Sequence, residues 1–215
     1  MEEVSSIAFG APETFGTCQE TRNTYNGQTQ PDDFMGPTLW SSDLEIFGES
    51  NQEAVRYLTD LFGFHADLGS HLDMLHESPL CMGIAWERNN IYWVFDGSSS
   101  DIVRYDFHED HGPGYDDHSD GSIFRYAPNS VKRVPDVPSH MKLDKNNGLL
   151  YIADTGNNAI KVLDQESAKS FSNKFIVYIC FGNTSSSPIK GQVFKITVIH
   201  GKSSYASFNK LVLIT

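Results

Sequence analysis

The chain has 215 residues, of which 39% are hydrophobic and 12% aromatic, so it has enough apolar surface for one or two folded domains with a real core. Its net charge of −12 divides into −18 for residues 1–166 and +6 for residues 167–215, where there are six lysines and no acidic residue. So acidic a body repels phosphate backbones and anionic membrane surfaces, which argues against nucleic-acid and membrane-surface functions and favours cations as small partners.

Residues 1–70 are predicted to be loop-rich with one helix. Their first part is rich in Gly, Pro, Asn, Thr and Gln, so we expect at most one strand there, near residues 35–40. Ser50 and Glu53 have the spacing of a capping box, and apolar residues then recur on one helical face. This pattern predicts a helix over about residues 51–62.

The sequence leaves the cellular compartment open. The first twelve residues contain two acids and no apolar run, unlike a signal peptide, and no segment is long and apolar enough for a membrane helix, so the chain is expected to be soluble and unexported. The three cysteines, Cys18, Cys81 and Cys180, are odd in number and lack metal or redox spacing, which predicts buried thiols rather than a disulfide framework.

Residues 71–166 predict two successive antiparallel sheets. Four short runs rich in β-branched and aromatic residues, separated by turn residues, are 82–87, 91–96, 101–107 and 122–127. The same pattern begins again at 141–144, 149–154 and 159–164. A shift of 59 along the chain pairs Pro79 with Pro138, Met82 with Met141, Tyr92 with Tyr151 and Gly97 with Gly156. A repeat of this kind is typical of stacked supersecondary units.

The segment PSHMKLDKNNG followed by LYIADTGNNAIKVLD resembles an NHL repeat. The residues that fit the pattern are Pro138, Asp144, Gly148, Tyr151, Ala153, Asp154, Asn157, Asn158 and Lys161, with Ala159 where Arg is common. The resemblance covers about 138–164 and is weaker over 79–106, where IYWVFDG also resembles a YWTD blade. It implies a mostly β fold, an incomplete β-propeller of four-stranded antiparallel blades with one short N-terminal helix.

An NHL-like blade is shorter than the 59-residue spacing, and the surplus is the insertion 108–121, HEDHGPGYDDHSDG. Carboxylates suit Ca²⁺ or Mg²⁺ and imidazoles suit Zn²⁺, Cu²⁺ or Fe²⁺, so this loop predicts a divalent-metal site, with Ca or Zn left open. The candidate ligands are His108, Asp110, His111, Asp116, His118 and Asp120. A solvated acidic loop and a partner-binding loop are the alternatives.

A second constellation is His71-x-Asp73-x-x-His76, expected just before the first strand of the first blade, with His140 at the start of the next. The first strand of a propeller blade lines the central channel, so residues at its start converge near the axis. The NHL-like amidating lyases hold an axial zinc through histidines of different blades. That resemblance makes His76 and His140 candidate channel-side metal ligands, with structural histidines as the alternative.

Two further segments are interpreted structurally. Trp86, Tyr92, Trp93 and Phe95 are predicted to pack between blades rather than to form a binding platform. Residues 167–215 contain the strand-like runs 175–181, 192–200 and 210–215, but their composition breaks from the rest, so this tail is interpreted as atypical and foreign to the repeat. Strands that fold against the sheet and an aggregation-prone ribbon are the alternatives for it.

Three functions follow from these patterns. The leading hypothesis is an NHL-like binding module whose loop metal shapes a surface for a protein or a small ligand. The second is a metal-dependent lyase or hydrolase with a channel-side metal, in which metal-bound water supplies the base or nucleophile. The third is a structural repeat without metal. The sequence does not determine the oligomeric state.

Overall fold

The computed structural model describes residues 4–20, 36–170, 176–181 and 194–198. Within these residues the chain is mostly β and forms three antiparallel sheets, which confirms the predicted class. The sheets of this part of the chain do not close into a ring.

Strands follow one another in chain order within each sheet. The first sheet contains β1 (Ser6–Phe9), β2 (Thr14–Cys18), β3 (Thr38–Ser41) and β4 (His71–Met74). The second contains β5 (Cys81–Arg88), β6 (Ile91–Asp96), β7 (Asp101–Asp106) and β8 (Ser122–Tyr126). The third contains β9 (Met141–Asp144), β10 (Leu149–Asp154), β11 (Ala159–Asp164), β12 (Ile176–Phe181) and β13 (Phe194–Val198).

Helix α1 (Gln52–Phe62) lies between β3 and β4 in the chain, and α2 (Gln165–Ser170) follows β11. The predicted helix is confirmed, but its N-cap is Asn51 rather than Ser50. The Asn51 side chain accepts hydrogen bonds from the backbone N–H groups of Glu53 and Ala54, at 3.0 and 3.1 Å. Gly63 ends the helix in the left-handed conformation. Neither helix in the described ranges is long and apolar enough to cross a membrane.

The first sheet differs from the loop-rich region expected for residues 1–70. Besides a strand near the expected position, β3, it contains the short strands β1 and β2 and the edge strand β4. Gly16 in the middle of β2 explains part of this difference, because a Cβ there would lie 2.9 Å from side-chain atoms of Ile84 and Tyr92 in the second sheet. Close packing between the two sheets requires glycine at this position. In the local sequence, however, a glycine argues against a strand.

The second and third sheets agree with the strands predicted from the repeat. β6 pairs antiparallel with both β5 and β7, with two register shifts in its pairing with β5, and β10 pairs with both β9 and β11. Each of the repeated glycines donates to a carbonyl that precedes the first strand of its sheet, although not at equivalent positions. Gly97 donates its N–H to the Leu80 carbonyl at 2.7 Å, and Gly156 donates to the Lys132 carbonyl at 2.8 Å. The segment after the second strand is a turn in the second sheet and a short 3-10 helix, Thr155–Asn157, in the third.

The second sheet buries both of its faces. Trp93 and Phe95 belong to the core shared with the third sheet, whereas Tyr92 and Val94 belong to the core shared with the first. The predicted packing role is confirmed for Tyr92, Trp93 and Phe95, which are fully buried, whereas Trp86 is only partly buried against the core shared with the first sheet. The first strands of the sheets approach one another, since β5 contacts both β1 and β9.

A disulfide between Cys18 and Cys81 corrects the prediction of unpaired thiols. Their Cα atoms are 5.1 Å apart, within the range for a disulfide, and both side chains are fully buried. The bond joins β2 of the first sheet to β5 of the second. Cys81 lies 63 positions after Cys18, so their pairing depends on the sheet packing and not on local spacing.

The C-terminal tail is attached to the third sheet through its backbone. β12 pairs with β11, and β13 pairs with β12, both antiparallel. β12 thus takes the place of the fourth strand, although the tail was interpreted as foreign to the repeat. The third strand-like run, 210–215, lies outside the described residues.

Candidate metal centre

The insertion 108–121 leaves the second sheet between β7 and β8 and folds back over β4, the edge strand of the first sheet. Gly114 donates its backbone N–H to the His71 carbonyl at 2.8 Å. Its φ is +81°, and a Cβ there would lie 2.5 Å from the Gly69 carbonyl oxygen, so only glycine allows this approach. The loop thereby covers part of a strand edge that would otherwise expose unpaired backbone groups.

Asp73 of β4 is the buried carboxylate beneath the loop, with no exposed surface. His118 Nδ1 lies 2.7 Å from Asp73 Oδ1, which also accepts the Met74 N–H at 2.6 Å. Because an ionised carboxylate only accepts hydrogen bonds, His118 donates from Nδ1, and its Nε2 faces Asp116 Oδ1 at 3.6 Å.

A three-residue group next to this contact could hold a metal ion. His111 Nε2 lies 2.8 Å from Asp120 Oδ1. One potential ligand atom from each of Asp73, His111 and Asp120 lies within 4.8 Å of the other two. A cation bound among these three atoms would displace the proton that His111 shares with Asp120, since metal ligation needs the free nitrogen lone pair.

Two polar atoms beneath the insertion are buried rather than solvated. Asp73 Oδ2 and His71 Nε2 are both buried, and neither has a hydrogen-bond partner in the part of the chain that the structure describes. Leaving such an atom unpaired costs about 1–3 kcal/mol, and more for a charged group. A cation bound at this carboxylate oxygen would satisfy it.

A cleft of about 320 Å³ opens beside His111. Its walls come from α1 and from the insertion, and they consist of Tyr57, Leu58, Leu61, His111, Tyr115, Asp116 and Asp117. Tyr57 and Tyr115 face each other with ring centroids 6.0 Å apart. The candidate centre therefore borders a partly apolar space of the size that small ligands occupy.

Among the six loop residues predicted as ligands, His111 and Asp120 belong to the group of three. His118 and Asp116 lie beside it. His108 instead contacts Ser122 Oγ at 3.3 Å, and Asp110 accepts the Gly112 N–H at 2.7 Å within its own turn. The structure thus brings part of the predicted set together and leaves His108 and Asp110 in other roles.

The two candidate channel-side histidines lie at different places. His76 follows β4, the fourth strand of the first sheet, and its ring meets that of His118 edge-on at 5.7 Å. His140 is exposed just before β9, and its carbonyl accepts the Ala153 N–H at 2.9 Å. His76 lies before β5, the first strand of the second sheet, as expected from the sequence, and its role as a metal ligand stays a prediction.

Sequence reasoning noticed His71 and Asp73 but did not place them with the loop. The sequence signal for these two residues is the His-x-Asp spacing, which places both of them on the same short strand. Their relation to His111 and Asp120 depends on a fold-back of the insertion across two sheets, and no local pattern reports that contact.

Metal binding at this group should depend on pH through His111. The hydrogen bond to Asp120 raises the pKa of His111 above its ordinary value, and the same contact lowers the pKa of Asp120. Below the raised pKa a cation must displace a proton, so affinity should fall about tenfold for each pH unit, with one proton released per ion. Calorimetric titrations in buffers of different ionisation enthalpy would measure both quantities.

In the metal-free protein, the contribution of this histidine to folding stability should depend on pH in the opposite direction to the metal affinity. A raised folded-state pKa means that His111 stabilises the fold below its ordinary pKa, and this contribution is lost as the pH rises through the raised value. The variant His111→Asn should lose the proton-linked slope of metal binding. An affinity that stays constant from about pH 6 to 9 would exclude His111 as a ligand.

Together, the fold and the site define a mostly β protein of successive antiparallel sheets with a candidate metal centre on a sheet edge. Comparison of the chain with models of protein families, with curated proteins and with solved structures finds no match. The functional argument therefore depends on the residues of the site itself.

Proposed function

We propose that this protein is a metal-dependent binding module of the NHL-like β-propeller type. Its divalent cation lies between the insertion and β4, held by Asp73, His111 and Asp120, and a small ligand enters the adjoining cleft. The propeller proposal is supported by three chain-ordered antiparallel sheets whose first strands approach one another and by the repeat motif at 138–164.

The observation that carries the metal proposal is Asp73. This carboxylate is fully buried, one of its oxygens has no hydrogen-bond partner in the described residues, and an imidazole and a second carboxylate lie within ligand distance of it. Buried charges in proteins are normally paired or coordinate metals. His118 supplies one partner to Oδ1, and a cation would supply the other.

The loop also has the accessibility that a binding site needs. Asp73 is buried, His111 is half-buried and Asp120 is exposed, so the three residues lead from the sheet edge to the surface. Tyr57 and Leu61 of α1 are both more than half exposed at the rim of the cleft. A ligand with an apolar body and a metal-binding end would cover these side chains.

The test is a metal titration of the full chain with Zn²⁺, Mn²⁺ and Ca²⁺ in turn, followed by calorimetry and thermal unfolding. We expect one ion per chain for at least one of these metals. At a free concentration 100 times Kd, the free energy of unfolding should rise by about 2.7 kcal/mol. Asp73→Asn and Asp120→Asn should each remove the stabilisation.

Asp110→Asn is the matched control, because Asp110 is a carboxylate of the same loop that accepts a hydrogen bond only within its own turn. This variant should bind as the unmodified chain does. Loss of binding in Asp110→Asn together with retention in Asp120→Asn would place the ion elsewhere in the loop. Absence of binding by the unmodified chain for all three metals would overturn the proposal.

A further inference from the structure

The cleft beside His111 is bounded by two tyrosine rings. Tyr57 belongs to α1 and Tyr115 to the insertion, and their ring planes are inclined by 49° with centroids 6.0 Å apart. Gly114, which donates its N–H to the His71 carbonyl, holds the insertion at β4 and so places Tyr115 beside α1. Tyr57 is 55% exposed and Tyr115 is half-buried, so both rings keep surface that a ligand can cover.

Two carboxylates share this cleft with the rings. Asp116 and Asp117 follow Tyr115 directly, and their side chains are 46% and 58% exposed. The Ser119 hydroxyl and N–H both donate to Asp117 Oδ1, at 2.8 and 3.1 Å, and such hydrogen bonds favour the charged form of a carboxylate. Among the seven described residues that line the cleft, only His111 can carry a positive charge. The cleft is therefore complementary in charge to a cation.

The remaining walls of the cleft are apolar. Leu58 is buried and Leu61 is 61% exposed, and both follow Tyr57 on α1. An inorganic cation such as Ca²⁺ or Mg²⁺ takes oxygen ligands and gains nothing from such walls. An alkylated ammonium group presents its alkyl groups to leucine side chains, and its charge is attracted to aromatic ring faces within about 6 Å of their centroids. The volume of the cleft, about 320 Å³, is in the range that small ligands occupy.

We propose that this cleft binds a small alkylated ammonium ligand whose cationic head lies against the rings of Tyr57 and Tyr115. The carboxylates of Asp116 and Asp117 offset its charge. The two rings provide the selectivity, because carboxylates alone attract any cation. The inference rests on the proposed function, for which it names the class of ligand in the cleft, but it needs no ion at Asp73.

The first test compares two probes of the same shape in the full chain. Choline carries a trimethylammonium group, and dimethylbutanol is its uncharged analogue, in which carbon replaces the nitrogen. Each is titrated into the unmodified protein and followed by the NMR signals of the tyrosine rings. Choline should bind about fivefold more tightly or better, because only the charged head is attracted to the ring faces. Equal affinity for the two probes, or no saturable choline binding, would overturn the inference.

The second test changes the cleft itself. Tyr57→Leu should weaken choline binding about fivefold and change dimethylbutanol binding much less, since leucine is apolar but has no ring face. Tyr57→Phe should retain choline binding, because phenylalanine keeps the ring. Asp117→Asn should weaken choline binding and leave dimethylbutanol binding unchanged. Choline affinity that is the same in Tyr57→Leu and in the unmodified chain would contradict the proposed role of the rings.

Phe62→Leu is the matched control for the tyrosine variant. Phe62 is a partly exposed aromatic residue of the same helix, but its ring stacks on Phe64 at 5.8 Å and does not line the cleft. This variant should bind choline as the unmodified chain does. An equal loss in Phe62→Leu and Tyr57→Leu would show that the effect comes from the helix as a whole, which would overturn the inference.

The choline titrations are made with a chelator present, so that they do not depend on a bound ion. Metal binding by the chain without choline binding would reject this inference and leave the metal centre intact. Choline binding without metal binding would support the inference and reject the metal centre alone. Absence of both would reject the two proposals together.

Discussion

Replacing Cys18 and Cys81 together by alanine should lower the free energy of unfolding by about 4 kcal/mol. The disulfide closes a loop of 63 residues, and the chain-entropy model gives about this value for a loop of that length. Since whole domains are stable by only about 5–15 kcal/mol, the loss would remove a large share of the total. Urea unfolding of the double variant and the unmodified chain under non-reducing conditions measures it.

A thiol count provides the control for this prediction. The unmodified chain, denatured without reductant, should show one reactive thiol out of three, that of Cys180. Reductant should destabilise the unmodified chain and leave the double variant unchanged. Three reactive thiols, or an equal response of both proteins to reductant, would contradict the cross-link between β2 and β5. Because such bonds persist where thiols are oxidised, the stabilisation is available only in an oxidising environment.

The sequence predicts the second and third sheets well because their strands carry their signal locally. β6 and β10 are each six residues long, rich in aromatic and β-branched side chains, and bounded by Gly and Asn turns. The repeat adds a second, independent indication, since a shift of 59 aligns both segments. Periodicity and turn chemistry agree here, and the register follows from them.

The first sheet was missed because its strands are defined by contacts with the second. β1 and β2 have four and five residues, and Gly16 interrupts the apolar pattern of β2. The glycine is needed where the side chains of Ile84 and Tyr92 approach the backbone. A residue that weakens a strand by its own propensity can thus be required by the sheet that packs against it. The sequence of the strand alone does not report that contact.

The candidate site, too, is predictable from the sequence only in part. The ligand-rich composition of 108–121 is visible in the sequence, and two residues of that loop, His111 and Asp120, lie in the group of three. Asp73 is the residue on which the site depends, and it lies 38 positions before His111. Its role appears only once the insertion crosses from the second sheet to the edge of the first, because that crossing is a tertiary contact.

The repeat motif itself has a physical explanation in the structure. Asp154, at the end of β10, is fully buried and accepts hydrogen bonds from the Lys132 N–H and the Asn157 side chain, both at 2.7 Å. Asp96, at the end of β6, is equally buried and binds Arg125 at 2.8 Å. In both sheets a buried carboxylate organises the turn after the second strand and is neutralised by a cation from a later strand.

The variant Lys161→Met should destabilise the protein by about 3–5 kcal/mol. Lys161 Nζ lies 2.5 Å from Asp154 Oδ2 and also donates to the Ser130 carbonyl, and both charged side chains are buried. Methionine keeps the approximate volume but removes the charge, so Asp154 would remain as an unpaired buried carboxylate, which is the costly way to break a buried ion pair. Urea unfolding near pH 7 measures the change.

A double-mutant cycle separates this pair from simple loss of packing. Combining Lys161→Met with Asp154→Asn removes both charges, so the double variant should be more stable than the sum of the single changes predicts, by about 0.5–3 kcal/mol. Lys142→Met is the matched control, because Lys142 is an exposed lysine on β9 of the same sheet, and its replacement should change stability by less than about 0.5 kcal/mol. Strict additivity in the cycle would show that Asp154 and Lys161 do not stabilise each other. The buried carboxylate would then depend on the Lys132 and Asn157 hydrogen bonds alone, and the basic residue of the motif would have no part in holding the turn.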